Sequence, residues 1–248
     1  MDELMPINDE RLRAVLSYPV FSEGHYSNVL ADMGNLAVSA ICSRGRVEIQ
    51  GFRAIGKGCV GIVLVGMVGD KAIALKVLRS DANRASLMHE GEYLGAANGC
   101  EVGPRLICCT RTVLAMEYIK GKYLTSWLGT PRAADDVRHL VSELLRQCRC
   151  LDRIGLDHGE LADAKKHILV DQRGEPCLVD FETASRKRRC KNLVAMVNYL
   201  FFTGVSSSVG QYLSWEKTSL VDAIREYKVL PSNAAYEGVL SRLGLKVQ

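Results

Sequence analysis

Three glycines, Gly56, Gly58 and Gly61, stand at G-x-G-x-x-G spacing, and Lys76 follows on a later apolar run. Glycine lacks a Cβ, so a loop of this kind lets backbone N–H groups close on phosphate oxygens. What comes after the loop decides its kind. A dinucleotide loop opens directly into a helix whose N-terminus meets the pyrophosphate. Here Gly61 leads into Ile62, Val63, Leu64 and Val65, then a Gly69-Asp70 turn, then a second run over Ala72–Leu78. That pattern predicts a β-hairpin. The P-loop is excluded because no G-x-x-x-x-G-K-[ST] occurs. Strand side chains alternate, so Ala72, Ala74 and Lys76 share one face. A lysine beside two alanines suits a flat purine whose phosphates reach the ammonium. The plainer alternative is a surface lysine on a half-buried strand.

A second chemistry-bearing stretch is LDHGELADAKKHILVDQRGEPCLVDFETAS, from Leu156 to Ser185. It holds His158, Glu160, Asp163, Lys165, Lys166 and His167 in a loop, then the runs His167–Val170 and Cys177–Phe181 about an Asp171–Pro176 turn. Asp180 closes the second run, after Leu178 and Val179. An acid there is poor core material and suits Mg²⁺, which takes one or two carboxylates plus phosphate oxygens. The alternative is a turn aspartate bonding its own backbone. Between the two stretches lies Glu90, on a predicted helix with Leu87, Gly91 and Leu94 on one face. A carboxylate among apolar positions requires a cation, and Lys76 is the candidate; the alternative is an ordinary surface glutamate. Gly91 in a helix costs ~1 kcal/mol relative to Ala, which predicts a close neighbour there.

The elements that position these residues follow from periodicity. Helices are expected over Asp9–Ser17 and Ser27–Ile41, forming an N-terminal helical extension over residues 1–45. A strand is expected over Val47 to Ile55, a helix over Ser80–Ala97, and strands over Arg105–Cys109 and Thr112–Tyr118. Asp135–Ile154 repeats apolar residues every 3.6 positions and predicts a core helix. Leu193–Phe202 predicts a buried helix, Thr203–Gly210 a Gly/Ser loop, and Thr218–Val229 and Ser232–Leu243 two closing helices about Pro231. The 248 residues, 48% hydrophobic and 24% charged, suit one large domain or two lobes. The net charge of +4 does not by itself imply nucleic acid or membrane. No apolar run approaches the ~20 residues that span a bilayer, and the acidic start is unlike a secretory signal, so a soluble cytoplasmic protein is expected. The nine cysteines lack zinc-site spacing and are expected as buried, reduced thiols.

In order, these residues resemble the protein-kinase-like superfamily, most closely the small atypical RIO kinases and the small kinase of the KEOPS tRNA-modification complex. The resemblance runs from Val47 to about Phe202. It rests on IGKGCVGIV, the lysine of AIALK, the glutamate of MHEGEYL, LAMEYIKG, HGEL and LVDFETAS. It implies an α+β, bilobal fold: an N-lobe (46–119) of antiparallel sheet plus one helix, and a small, mainly helical C-lobe (120–248). It implies ATP and Mg²⁺ as cofactors, with Gly56, Lys57, Gly58, Gly61, Val63, Ala74, Lys76, Glu90, Met116, Glu117 and Tyr118 about the nucleotide. Lys76 binds the α/β-phosphates and pairs with Glu90, Met116 backs the adenine pocket, and backbone near Glu117–Tyr118 meets the adenine edge. Glu160 takes the place of the catalytic aspartate. Asp180 is the metal ligand, with His167 the residue nearest the place of the metal-binding asparagine and Lys165 or Asp163 as alternatives. Glu182 replaces the glycine after the Asp-Phe pair, and no A-P-E segment follows. The implied activity is transfer of the γ-phosphate to a protein Ser/Thr hydroxyl or to the chain itself. The alternatives are a nucleotide-binding pseudokinase and a small-molecule phosphotransferase. Arg186, Lys187, Arg188, Arg189 and Lys191 form a basic cluster, read either as a solvated charge run or as a surface for RNA, a ribonucleoprotein or an acidic protein substrate.

Overall fold

The computed structural model describes residues 3–246. It is an α+β protein of antiparallel sheets and several helices, in two compact units. One is built from the chain up to Gly95 plus Pro104–Ile119, the other from Ala96–Gly103 plus the chain from Lys120 onward.

The first unit begins with β1 (Glu3–Pro6), α1 (Leu12–Leu16), α2 (Glu23–Asn35) and β2 (Ala40–Ser43). The expected all-helical extension is corrected here. The helix expected over Ser27–Ile41 starts earlier, at Glu23, where the Ser22 side chain accepts the His25 N–H at 3.4 Å. It stops at Asn35, where Ala37 turns left-handed at φ +53° and Val38 N–H bonds back to Met33 O. The apolar positions beyond that stop belong to a strand, and β2 pairs with β1 and with the later β6. The single strand expected from Val47 to Ile55 is a hairpin, β3 (Val47–Ile49) and β4 (Phe52–Ala54), turned at Gln50 and Gly51, both with positive φ.

β5 (Gly56–Lys57) carries the first glycine, and β6 (Gly61–Val68) and β7 (Lys71–Leu78) form the predicted hairpin, with Gly69 at φ +55°. The helix expected from Ser80 starts later, as α3 (Met88–Asn98). Asp81 is held instead by Arg79 at 2.7 Å, and Ser86 Oγ accepts the Met88 N–H at 3.0 Å. β8 (Leu106–Cys109) and β9 (Val113–Glu117) complete a sheet in the order β1-β2-β6-β7-β9-β8, with β5 on β6. Its core joins Leu12, Leu16 and Met33 to Ile62, Leu64, Leu75 and Val77.

The second unit contains β10 (Gly121–Tyr123), α4 (Leu124–Leu128) and α5 (Ala134–Arg153), then β11 (Ile168–Asp171) and β12 (Pro176–Leu178). The three strands pair in sequence order. The 3.6-period stripe on α5 (Val137, Leu140, Val141, Leu144, Leu145, Cys148, Leu151) is wholly buried. α6 (Asn192–Phe201) packs against α5. A short α7 (Ser206–Val209) occupies the expected Gly/Ser loop. α8 (Lys217–Val229) and α9 (Asn233–Arg242) close the chain, capped by Glu216 and Ser232. No single helix among the described residues is long and apolar enough to cross a membrane. None of the nine cysteines is in a disulfide, and only Cys42 and Cys148 are buried, so most do not serve as core hydrophobes.

Candidate functional site

In the first unit, Val63 lies opposite Lys76, and Val65 opposite Ala74, across the β6–β7 ladder. Gly58 N–H bonds Gly61 O at 2.8 Å, which closes the glycine loop on itself. The stem of Lys76 runs beneath Gly61. A Cβ there would lie 2.9 Å from Lys76 Cγ and 3.0 Å from Val77 O, so glycine is required by this packing. The Lys76 ammonium meets both carboxylate oxygens of Glu90, at 2.9 and 2.8 Å, and both side chains are only 5% exposed. The pairing expected from residue order is therefore present. Gly91 is also explained: a Cβ there would lie 2.5 Å from Cys109 Sγ.

Other expected nucleotide contacts fall less simply. Met116 is half-buried on β9, opposite Ala74. Glu117 donates its backbone N–H to Arg105 O at 2.9 Å, so this group is not free for an adenine edge as expected. The reason is local, because β9 continues its sheet pairing as far as Glu117. Lys57 is exposed, with its ammonium 4.9 Å above the Tyr18 ring. Tyr118, half-buried, follows β9.

In the second unit, the loop 157–160 is fixed from several sides. Asp157 and Ser185 exchange backbone hydrogen bonds of 3.0 and 2.8 Å. The buried Asp157 carboxylate accepts Arg188 Nε–H at 2.9 Å. His158 N–H donates to Asn192 Oδ1 at 2.8 Å, and Thr183 Oγ1–H donates to His158 O at 3.1 Å. Gly159 sits at φ +94°, with Thr183 O and Arg188 so close that no Cβ fits. Asn192 is itself held by Asp152, whose carboxylate accepts Asn192 Nδ2–H at 2.8 Å, Asn192 N–H at 3.0 Å, Leu193 N–H at 3.2 Å and Tyr227 O–H at 2.9 Å. Burial raises the Asp152 pKa above the usual carboxylate range, against the pull of those hydrogen bonds.

Both histidines address one carbonyl. His158 Nε2 lies 3.2 Å and His167 Nδ1 lies 3.4 Å from Val179 O. A carbonyl only accepts, so each contacting nitrogen carries a hydrogen. The opposite nitrogen of His167, Nε2, is 2.8 Å from Glu160 Oε2. Asp180 follows Val179 in the left-handed region, at φ +70°, a conformation that Asp tolerates better than most residues but still at a cost. Glu160, His167 and Asp180 bring donor atoms that all lie within 4.8 Å of one another. That span and donor set fit one divalent cation. Lys165 turns instead to Asp163, 3.6 Å away, with both side chains largely exposed.

The fully buried His158 has its pKa lowered to about 4, first by desolvation and then by the neighbouring His167. Its unfolded value is 6.5. The contribution is thus present above pH 6.5 and lost as pH falls toward 4. At pH 5 the loss from this group is about 2 kcal/mol. Denaturant unfolding at pH 7 and 5 is expected to show that loss, and His158→Phe is expected to remove that part of the pH dependence.

The basic cluster is exposed, and two of its members are also tied to the fold. Arg188 binds Asp157, and Arg189 donates to Lys228 O, so these two cations also serve the fold. The residues that sequence reasoning missed are the supports: Asn192, Asp152, Thr183 and the structural role of Arg188. Their only sequence signal is an asparagine just ahead of an apolar helix, which is common at helix starts. No protein-family model matches the chain, and no curated protein matches it.

Proposed function

We propose that this protein is an ATP-dependent phosphotransferase with a bilobal, kinase-like arrangement of RIO type, moving the γ-phosphoryl group to a Ser/Thr hydroxyl of a protein or of itself. The observation that carries the reading is the Lys76–Glu90 pair, buried under a glycine loop. A buried ion pair is a weak device for stability, since desolvation cancels much of its attraction. It is a good device for holding an ammonium at one point, as phosphate binding requires. Gly56, Gly58 and Gly61 offer backbone to the phosphates, and Ala74 and Met116 offer apolar surface to the purine.

His167 and Asp180 are the residues to hold Mg²⁺ or another divalent cation. Such an ion supplies charge neutralisation on the phosphate oxygens. The hydroxyl oxygen attacks the γ-phosphorus, the bond to the bridging β-phosphate oxygen breaks, and ADP leaves. Glu160 orients the hydroxyl and accepts its proton. Phosphoryl transfer passes through a loose transition state, so positioning and charge do most of the work.

The Glu160–His167 contact favours a second reading, nucleotide binding without transfer, because one carboxylate oxygen is already engaged. Incubation with γ-labelled ATP and a divalent cation, alongside Asp180→Ala, separates the two. Label on protein that falls at least about 10²-fold in the variant supports transfer. Stoichiometric ATP binding with neither label nor free phosphate supports the second reading. Undiminished transfer by Asp180→Ala overturns the role given to Asp180.

A further inference from the structure

We propose that Glu160, His167 and Asp180 form a mixed nitrogen–oxygen metal site that selects Mn²⁺ over Mg²⁺. The use of this ion in phosphoryl transfer rests on the function proposed above; its binding does not.

The His167 ring has a defined tautomer. Nδ1 approaches Val179 O, which can only accept, so Nδ1 carries the hydrogen. Nε2 is then the ligating nitrogen, and it points at Glu160 Oε2, 2.8 Å away. With the hydrogen on Nδ1, Nε2 can present a lone pair there, as the carboxylate does. Two lone pairs at this distance need a hydrogen or a cation between them. Metal-bound imidazoles commonly donate their other N–H to a backbone carbonyl or carboxylate, which fixes the ring and strengthens the donor. His167 has that arrangement through Val179 O, and the next residue is Asp180, the third donor. The left-handed backbone at Asp180 lies within the donor set itself.

The chemistry of the set decides the ion. Mg²⁺ takes oxygen ligands and keeps several waters, and it gains little from imidazole. Two carboxylates with one imidazole suit a first-row ion that accepts both donor types, and Mn²⁺ is the member that also favours carboxylate and phosphate oxygen. Glu160 meets His167 through Oε2, 2.8 Å from Nε2, and we assign its other oxygen to a substrate hydroxyl.

The test uses the full chain without nucleotide. Mn²⁺ alone is titrated and followed by its electron paramagnetic resonance signal, then competed with Mg²⁺. One Mn²⁺ per chain is expected, held at least about tenfold more tightly than Mg²⁺. Spin-echo modulation from a directly bound nitrogen is expected, and His167→Gln should abolish it. His167→Gln should also weaken Mn²⁺ about 10–100-fold while changing Mg²⁺ binding little. Equal affinity for the two ions in the unaltered chain, or bound Mn²⁺ with no nitrogen modulation, overturns the proposal without recourse to a variant. Neither result depends on phosphate transfer. Failure of the labelled-ATP experiment with a nitrogen-ligated Mn²⁺ would remove the proposed function and leave the site standing.

Discussion

Replacing Lys76 by methionine is expected to destabilise the protein by about 3–5 kcal/mol and to abolish the phosphate transfer proposed above. The Glu90 carboxylate stays buried at 5% exposure and loses the ammonium at 2.9 and 2.8 Å. Its desolvation cost is then no longer offset by that charge. Glu90→Gln is the milder change, because it removes the charge that is costly to bury and leaves Lys76 to reorient. The informative variant is Lys76→Met with Glu90→Leu. Replacing both members of a buried pair by apolar groups is often neutral or stabilising. The double variant is therefore expected to recover most of the stability while transfer stays absent. Urea unfolding and the labelled-ATP assay read the two effects separately. A Lys76→Met cost below about 1 kcal/mol would mean that the pair behaves as an exposed one. Transfer by the double variant would show that the lysine does not serve the phosphates.

Much of this pair was legible in the sequence because strand geometry is rigid. Once Gly69-Asp70 fixes the turn, period-two alternation sets the faces of Ala74 and Lys76, and the register of Val63 opposite Lys76 follows. The stripe on α5 was legible for the same reason, since its seven apolar positions at helical spacing leave no other amphipathic solution. The N-terminal segment was not. Leu36 and Ile41 fit a helical period, but a left-handed Ala37 ends the helix, and β-sheet pairing claims Ile41. Alanine carries no signal for that turn. The late start of α3 was hidden similarly, because Ser80 and Asp81 read as caps while Arg79 draws Asp81 away. In the second unit, the sequence named His167 and Asp180 as ligands but gave Glu160 a different role. Joining Glu160 to the donor set needs the 3-10 turn over Leu161–Lys166, which brings residues seven apart to 2.8 Å. Spacing alone does not reveal such a turn when Asp163 breaks its helical dihedrals at φ −127° and ψ 70°.

Among the ties on the loop bearing Glu160 is Asn192, and Asn192→Ala is expected to cost on the order of 4 kcal/mol. Asn192 is 1% exposed and bridges three groups. Its Oδ1 accepts His158 N–H at 2.8 Å, and its Nδ2 donates to Leu156 O and to Asp152 Oδ1, each at 2.8 Å. Alanine leaves the His158 N–H and the Leu156 carbonyl without these partners, at about 1–3 kcal/mol each. Two residues beyond His158 stands Glu160, so a shift of ~1 Å in the loop can lower transfer about 10²-fold. Asn192→Asp distinguishes loss of packing from loss of these bonds. The aspartate keeps an acceptor for His158 N–H but sets a second carboxylate against Asp152, whose pKa burial already raises. Like charges so close raise it further. A raised folded pKa contributes stability at low pH that is lost as pH rises through it. Asn192→Asp is therefore expected to be nearer the unaltered protein in stability at pH 5 than at pH 8, while Asn192→Ala shows no such recovery. Urea midpoints for the three proteins at both pH values decide it. An Asn192→Asp deficit independent of pH would mean that the two carboxylates do not meet, and that Asn192 does not tie the loop to Asp152.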